Sequence, residues 1–159
     1  MKPGAFDYSS PDHFEEVLEI LAGYGEDARL LAGGQSLIPM LNMRLSRPRV
    51  IIDLGGLLDH EFIGQDDGMV RVGLRVTQQD LYVWPRLGDY LPLVKKAIPF
   101  VGHQQTRNRG TVVGSIAHAD PAAELPLCMA ALNGEAVLSS KTGEKKLNSA
   151  PDECQCRSI

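Results

Sequence analysis

Two runs of small residues constrain this chain more than anything else in it. They are Ala32-Gly33-Gly34-Gln35-Ser36 and Gly110-Thr111-Val112-Val113-Gly114-Ser115. The first follows a short apolar strand, Arg29 to Ala32, and precedes a helical pattern over Leu37 to Leu45. Glycines without a Cβ let backbone N–H groups approach an anion and point at it. A helix starting at Ser36 or Leu37 adds the positive end of its dipole, and the Ser36 hydroxyl adds a donor. A diphosphate fits such a turn, although a plain strand-to-helix connection uses the same residues. The run is not a Rossmann fingerprint, since no glycine follows within Gln35 to Ile38, and no Gly-Lys-Ser/Thr makes a P-loop. The second run offers hydroxyls at Thr111 and Ser115, and Gly114 lets a ligand lie against the backbone. Together the two runs can hold one extended ligand of dinucleotide length.

The pattern around them alternates. A strand over Ala5 to Tyr8 is followed by a helix capped by Ser10 and Pro11, carrying Phe14, Val17, Leu18, Leu21 and Ala22. With a third strand over Arg49 to Leu54, the first fifty-odd residues read β-α-β-α-β. After Gly55-Gly56 a hairpin is expected around Asp66-Asp67-Gly68, then a helix from Gln78 behind a Thr77/Asp80 capping box, and another over Leu91 to Ile98. Gly102 to Gly110 reads as polar loop and Thr111 to Ala117 as small and β-prone. Asp120-Pro121 reads as the start of a helix over Ala122 to Leu132 closed by Asn133-Gly134, and a hairpin surrounds Lys141-Thr142-Gly143. The expectation is α+β: an N-terminal α/β lobe over 1–55, a second α+β lobe over 56–147, and an atypical tail over 148–159.

Composition removes several classes of function. The net charge of -4 argues against a dedicated nucleic-acid or anionic-membrane binder, and the basic runs Lys95-Lys96, Arg107-Asn108-Arg109 and Lys145-Lys146 are short. No stretch approaches a membrane span, and no secretory signal follows Met1, so the expected compartment is the cytoplasm. Of the three cysteines, Cys128 reads as core; Cys154 and Cys156 form a C-x-C pair without the further ligands that a metal site needs. No Ser/His/Asp arrangement and no H-E-x-x-H is present. Trp84, Met40 and Met43 read as packing. His118 could touch a ligand or make a structural hydrogen bond. Arg107 and Arg109 could dock a partner or fix their loop.

At Ala32 to Pro39 and at Arg107 to Glu124 the sequence resembles the FAD-binding medium subunits of the molybdenum hydroxylases, the flavoproteins of aerobic carbon monoxide dehydrogenase and xanthine dehydrogenase. Val50-Ile51-Ile52-Asp53-Leu54 and Phe6-Asp7-Tyr8 also fit, and the likeness covers about residues 1 to 147. It implies the two-lobed fold of the vanillyl-alcohol-oxidase-like (PCMH-type) flavoproteins, with FAD between the lobes. It assigns Ala32, Gly33, Gly34, Gln35, Ser36 and Leu37 to the diphosphate. It assigns Thr111, Val112, Val113, Gly114 and Ser115 to the ribityl and flavin region, and Val101 to the adenine end. The family's following carboxylate maps onto Glu124, with Asp120 as competitor.

The resemblance also implies an electron-transfer role without a catalytic nucleophile. Partners are an iron–sulfur small subunit and a molybdopterin large subunit, and NAD is a possible acceptor. Two departures are visible. Val113 stands where the family has a glycine, and a β-branched residue disfavours positive φ, so weaker flavin binding is expected. The family also continues for well over a hundred residues beyond this point, so the chain reads as C-terminally truncated. The rival readings are another flavin reductase of this fold, such as the UDP-acetylenolpyruvoylglucosamine reductases, and a silent module that only binds partner subunits.

Overall fold

The computed structural model describes residues 2–149. Its first part is organised by one strand. Val50, Ile51 and Ile52 are β-branched in succession, which suits a strand covered on both faces. They form β3 (Val50–Asp53), at 3%, 1% and 0% exposure, in the middle of a parallel sheet. Its neighbours are β1 (Asp7–Ser9) and β2 (Ala28–Leu31), in the order β1-β3-β2, with Leu31 beside Asp53 at the carboxyl end. The helix α1 (Phe14–Tyr24) lays Val17 against Val50, Ile52, Leu54 and Leu57, and α2 (Leu37–Asn42) leads from β2 towards β3. The expected β-α-β-α-β order is therefore found.

The start of α1 is not where Ser10-Pro11 suggested. The helix begins at Phe14, with His13 at the cap position. The segment before it is used otherwise: the Pro11 carbonyl lies so close to Gly56 that a Cβ there would stand 2.4 Å from it. Gly25, at φ 52°, ends the helix, whereas Gly23 lies inside it.

The second part begins with a hairpin of β4 (Ile63–Asp66) and β5 (Met69–Val72). Asp67 and Gly68 have φ of 46° and 79°, the paired positive values of a tight hairpin turn. Short helices follow: α3 (Gln78–Val83), α4 (Leu87–Tyr90), α5 (Pro92–Ala97), α6 (Gln104–Arg107), α7 (Val112–His118) and α8 (Glu124–Ala131). They pack around Val76, Leu81, Leu87, Val94, Ile98, Leu125 and Cys128, with Trp84, Val101, Val112 and Ile116 at the border. A hairpin of β6 (Glu135–Ser140) and β7 (Gly143–Asn148) closes the described residues. The expected tail overlaps β7 at Asn148, and residues 150–159, including Cys154 and Cys156, lie outside the described residues.

Four expectations are corrected here. The β-prone stretch Thr111 to Ala117 is helical from Val112 onward, only Thr111 being extended, and the polar loop before it contains α6. The last long helix starts at Glu124, because Asp120 spends its carboxylate on a turn, accepting from the Ala122 N–H at 2.9 Å. Met43 is about half exposed at 49%, so it is not core. The end of that helix is as expected: Asn133 takes φ 51° and the Gly134 N–H bonds back to the Met129 carbonyl at 2.8 Å.

Candidate functional site

The first small-residue run leaves its backbone open. Gly34 has φ 70°, which a glycine adopts freely, and its carbonyl receives the Ile38 N–H at 3.1 Å, starting α2. The Gln35 side chain donates to the Gly33 carbonyl at 3.1 Å. The Ser36 hydroxyl makes no cap bond. The N–H groups of Gly33, Gly34, Gln35 and Ser36 donate to no other described group. A run of unclaimed donors on a chain with little side-chain bulk is the chemistry of an anion cradle.

The second run is built the other way. Thr111 is buried, at 7% exposure, and caps α7: its Oγ1 accepts from the Gly114 N–H at 3.0 Å. The Val112 N–H bonds to the Val76 carbonyl at 3.0 Å, and the Gln78 N–H to the Gly110 carbonyl at 2.8 Å, a short antiparallel bridge between Thr77 and Thr111. The Gly110 N–H goes to the Thr106 carbonyl at 2.7 Å. Val113 sits in the first turn of α7 and is not among the positive-φ residues. The backbone strain expected of it is therefore absent.

The two runs touch. A Cβ built on Gly33 would stand 2.2 Å from the Arg109 carbonyl oxygen and 2.6 Å from the Gly110 Cα. On the other side of the second run, a Cβ on Gly114 would stand 2.5 Å from Thr111 Oγ1 and 3.5 Å from the Ala32 Cβ. Both glycine positions are thus fixed by close approach. The contact also puts Ala32 and Gly33 beside the start of α7.

The remaining candidates are placed as follows. Val101 borders the second core, and Arg107 holds its turn: Nη1 donates to the Val101 carbonyl at 3.2 Å and the Gly102 carbonyl at 2.9 Å. Arg107 thus fixes its loop. Leu37 opens α2, and Ser115 lies in α7. His118 ends α7 on the surface, and Asp120 is exposed in the turn that follows. Glu124, half-buried in the first turn of α8, borders an apolar groove with Leu93, Phe100 and Cys128. Burial, and then the neighbouring Glu124 charge, push the Cys128 thiol up, so it stays protonated at neutral pH. Sequence reasoning used Tyr8 and Asp53 only as part of the resemblance and gave their side chains no role; the Tyr8 hydroxyl donates to the Asp53 carboxylate. The side chain of Gln78 was passed over, since its residue type gave no signal.

The likeness to known proteins accords with this geometry. The family described as the FAD binding domain in molybdopterin dehydrogenase matches residues 4–150. The chain belongs to this family. Its cofactor is FAD, and the residues present fit one: four successive N–H groups without a partner among the described residues can receive a diphosphate. Among relatives, the 6-hydroxypseudooxynicotine dehydrogenase complex subunit alpha of Paenarthrobacter nicotinovorans is 40% identical over 147 residues, covering 92% of this chain and 50% of that one. The carbon monoxide dehydrogenase medium chain of Hydrogenophaga pseudoflava is 34% identical, covering 91% and 50%. Among solved structures, quinoline 2-oxidoreductase from Pseudomonas putida 86 superposes with a TM-score of 0.89 at 39% identity, covering 94% of this chain and 52% of that one. This FAD-binding domain thus spans about half the length of the curated relatives it matches, and it has the α+β fold of their FAD-binding subunits. Among the described residues no helix is long and apolar enough to cross a membrane.

Proposed function

We propose that this chain is the FAD-holding part of a flavoprotein subunit in a cytoplasmic molybdenum-containing hydroxylase or dehydrogenase complex. Its partners are an iron–sulfur small subunit and a molybdopterin large subunit. Ala32, Gly33, Gly34, Gln35, Ser36 and Leu37 hold the diphosphate, the open N–H groups meeting its charge. Thr111, Val112, Val113, Gly114 and Ser115 line the ribityl and flavin region, Val101 the adenine end, and Glu124 or Asp120 supplies a carboxylate. The division into lobes falls near Gly55-Gly56, with the cofactor between them. When bound, FAD supplies the redox chemistry that links the iron–sulfur clusters to an acceptor such as NAD. The chain's own residues bind and orient it and limit its access to water, and no side chain is asked to act as nucleophile or acid.

The observation that supports this reading is the backbone contact between Gly33 and Arg109-Gly110, which brings the two runs together. The test is the visible spectrum of the purified protein, before and after incubation with FAD. A flavin spectrum at near one FAD per chain is the expected result. A colourless protein that takes up no FAD overturns it. That outcome supports the second reading, a module that only binds partner subunits, for which the exposed Phe100 and Leu127 beside the apolar groove speak.

A further inference from the structure

Gln78 is the first residue of α3, and its side chain is 95% buried by its 5% exposure. Buried amides normally find partners, because a carbonyl oxygen stripped of water without a donor is costly. The Gln78 Oε1 has none. The atoms around it explain where it could find one. A Cβ built on Gly110 would stand 3.1 Å from the Thr106 carbonyl oxygen and 3.2 Å from Gln78 Oε1. Two acceptors therefore flank the same side of Gly110. One of them is used twice: the Thr106 carbonyl receives both the Arg109 N–H at 3.2 Å and the Gly110 N–H at 2.7 Å. The other is unused. Gly110 also meets Gly33, where a Cβ would stand 2.6 Å from the Gly110 Cα.

We propose that Gln78 is a positioning residue of the FAD site, its amide oxygen held as a second acceptor for the Gly110 N–H. The inference rests on the reading that FAD lies between the two runs. A displacement of the Arg109-Gly110 peptide as the cofactor seats itself passes that N–H from the crowded Thr106 carbonyl to the unused one. The backbone N–H of Gln78 already grips the Gly110 carbonyl, on the following peptide, so Gln78 is anchored beside Gly110 and keeps its amide oxygen there. An apolar side chain of equal length would satisfy the folded protein better and the seated cofactor worse. That opposition separates a positioning role from a structural one.

The test compares Gln78→Met with the wild-type chain and with Gly33→Ala, measuring the Kd for FAD by fluorescence and the melting temperature without FAD. Gln78→Met is expected to weaken FAD binding about three- to tenfold, the worth of one hydrogen bond, with an unchanged or raised melting temperature. Unchanged affinity in Gln78→Met, with affinity lost in Gly33→Ala, overturns the proposal and leaves the cofactor site standing. Unchanged affinity in both variants removes the cofactor reading itself. A Gln78→Met protein that is destabilised or unfolded also overturns the proposal, since it makes the side chain an ordinary part of the core.

Discussion

The two small-residue runs use their backbones in opposite ways. The first, Gly33 to Ser36, leaves its N–H groups open and carries almost no side chains. The second, Gly110 to Ser115, commits most of its amides inside the protein: to Thr106, to Val76 and to the Thr111 side chain and carbonyl. Open donors can meet a charge, whereas committed ones can only hold a shape. In the proposed cofactor site, the first run would therefore meet charge, and the second would present a wall whose shape is already fixed. The glycines differ accordingly. Gly34 frees a turn, at φ 70°, whereas Gly33 and Gly110 let two backbones meet.

The harshest challenge to this contrast is Gly33→Val. Its Cβ would meet backbone atoms, which cannot swing aside. FAD binding should weaken by about 3 kcal/mol, roughly a hundredfold in Kd, as the runs are pushed apart. Titration of flavin fluorescence reads this directly. Thr111→Val comes next. It leaves the Gly114 N–H without its cap and should cost about 1 kcal/mol, or roughly 3 °C in melting temperature by circular dichroism. If the second run only supports, this loss of stability should exceed any loss of FAD affinity in the folded protein. Gly34→Ala should be milder for contact, because the atom in the way is the flexible tip of Ile38, but φ 70° still costs about 1 kcal/mol. Equal effects of alanine at 33 and 34 would break the distinction between the two glycines.

The smallest effect concerns the pair beside the first run. The hydrogen bond to Asp53, with burial and the Asp53 charge behind it, raises the Tyr8 phenol above its ordinary value, against a lowering bond from Ser10. A raised folded pKa means that the stabilisation is complete below the unfolded value of about 10 and is lost as pH rises through the folded one. Tyr8 is exposed, so the contribution is small. Spectrophotometric titration should show one tyrosine ionising late, and Tyr8→Phe should remove it while flattening the alkaline limb of stability.

Much of the first part was legible because hydrophobic pattern and turn chemistry agreed. Val50 to Ile52 read as a strand, though not as the central one, and in the second part Asp67-Gly68 supplied the positive φ pair of a hairpin. The capping box at Thr77 was also readable, and both of its reciprocal bonds exist. Helix α7 was not, because Thr111, Val112, Val113 and Ile116 are β-branched and Gly114 is a poor helix former. Tertiary contacts override that preference: the Thr111 cap and the anchor of Val112 to Val76 fix the first turn. The same fact removes the backbone-strain part of the objection to Val113, which came from imagining a glycine-type turn where a helix begins. Asp120-Pro121 misled for a related reason, since an aspartate can close its own turn as readily as it can cap a helix. The site was legible as two motifs, but the contact between them was not, for no local pattern records that Gly33 rests on Gly110.

The sheet order carries a consequence for how the protein is born. Neither β1 nor β2 has a partner in the sheet until β3 lies between them, and β3 is the last of the three to leave the ribosome. Synthesis must therefore pass Asp53 before any of that sheet can form, and the nascent segment before it stays an unpaired pair of strands. The Gly33-Gly34 bend follows β2, so its anchorage on the sheet, and with it the first half of the proposed cofactor site, waits on residues made after it.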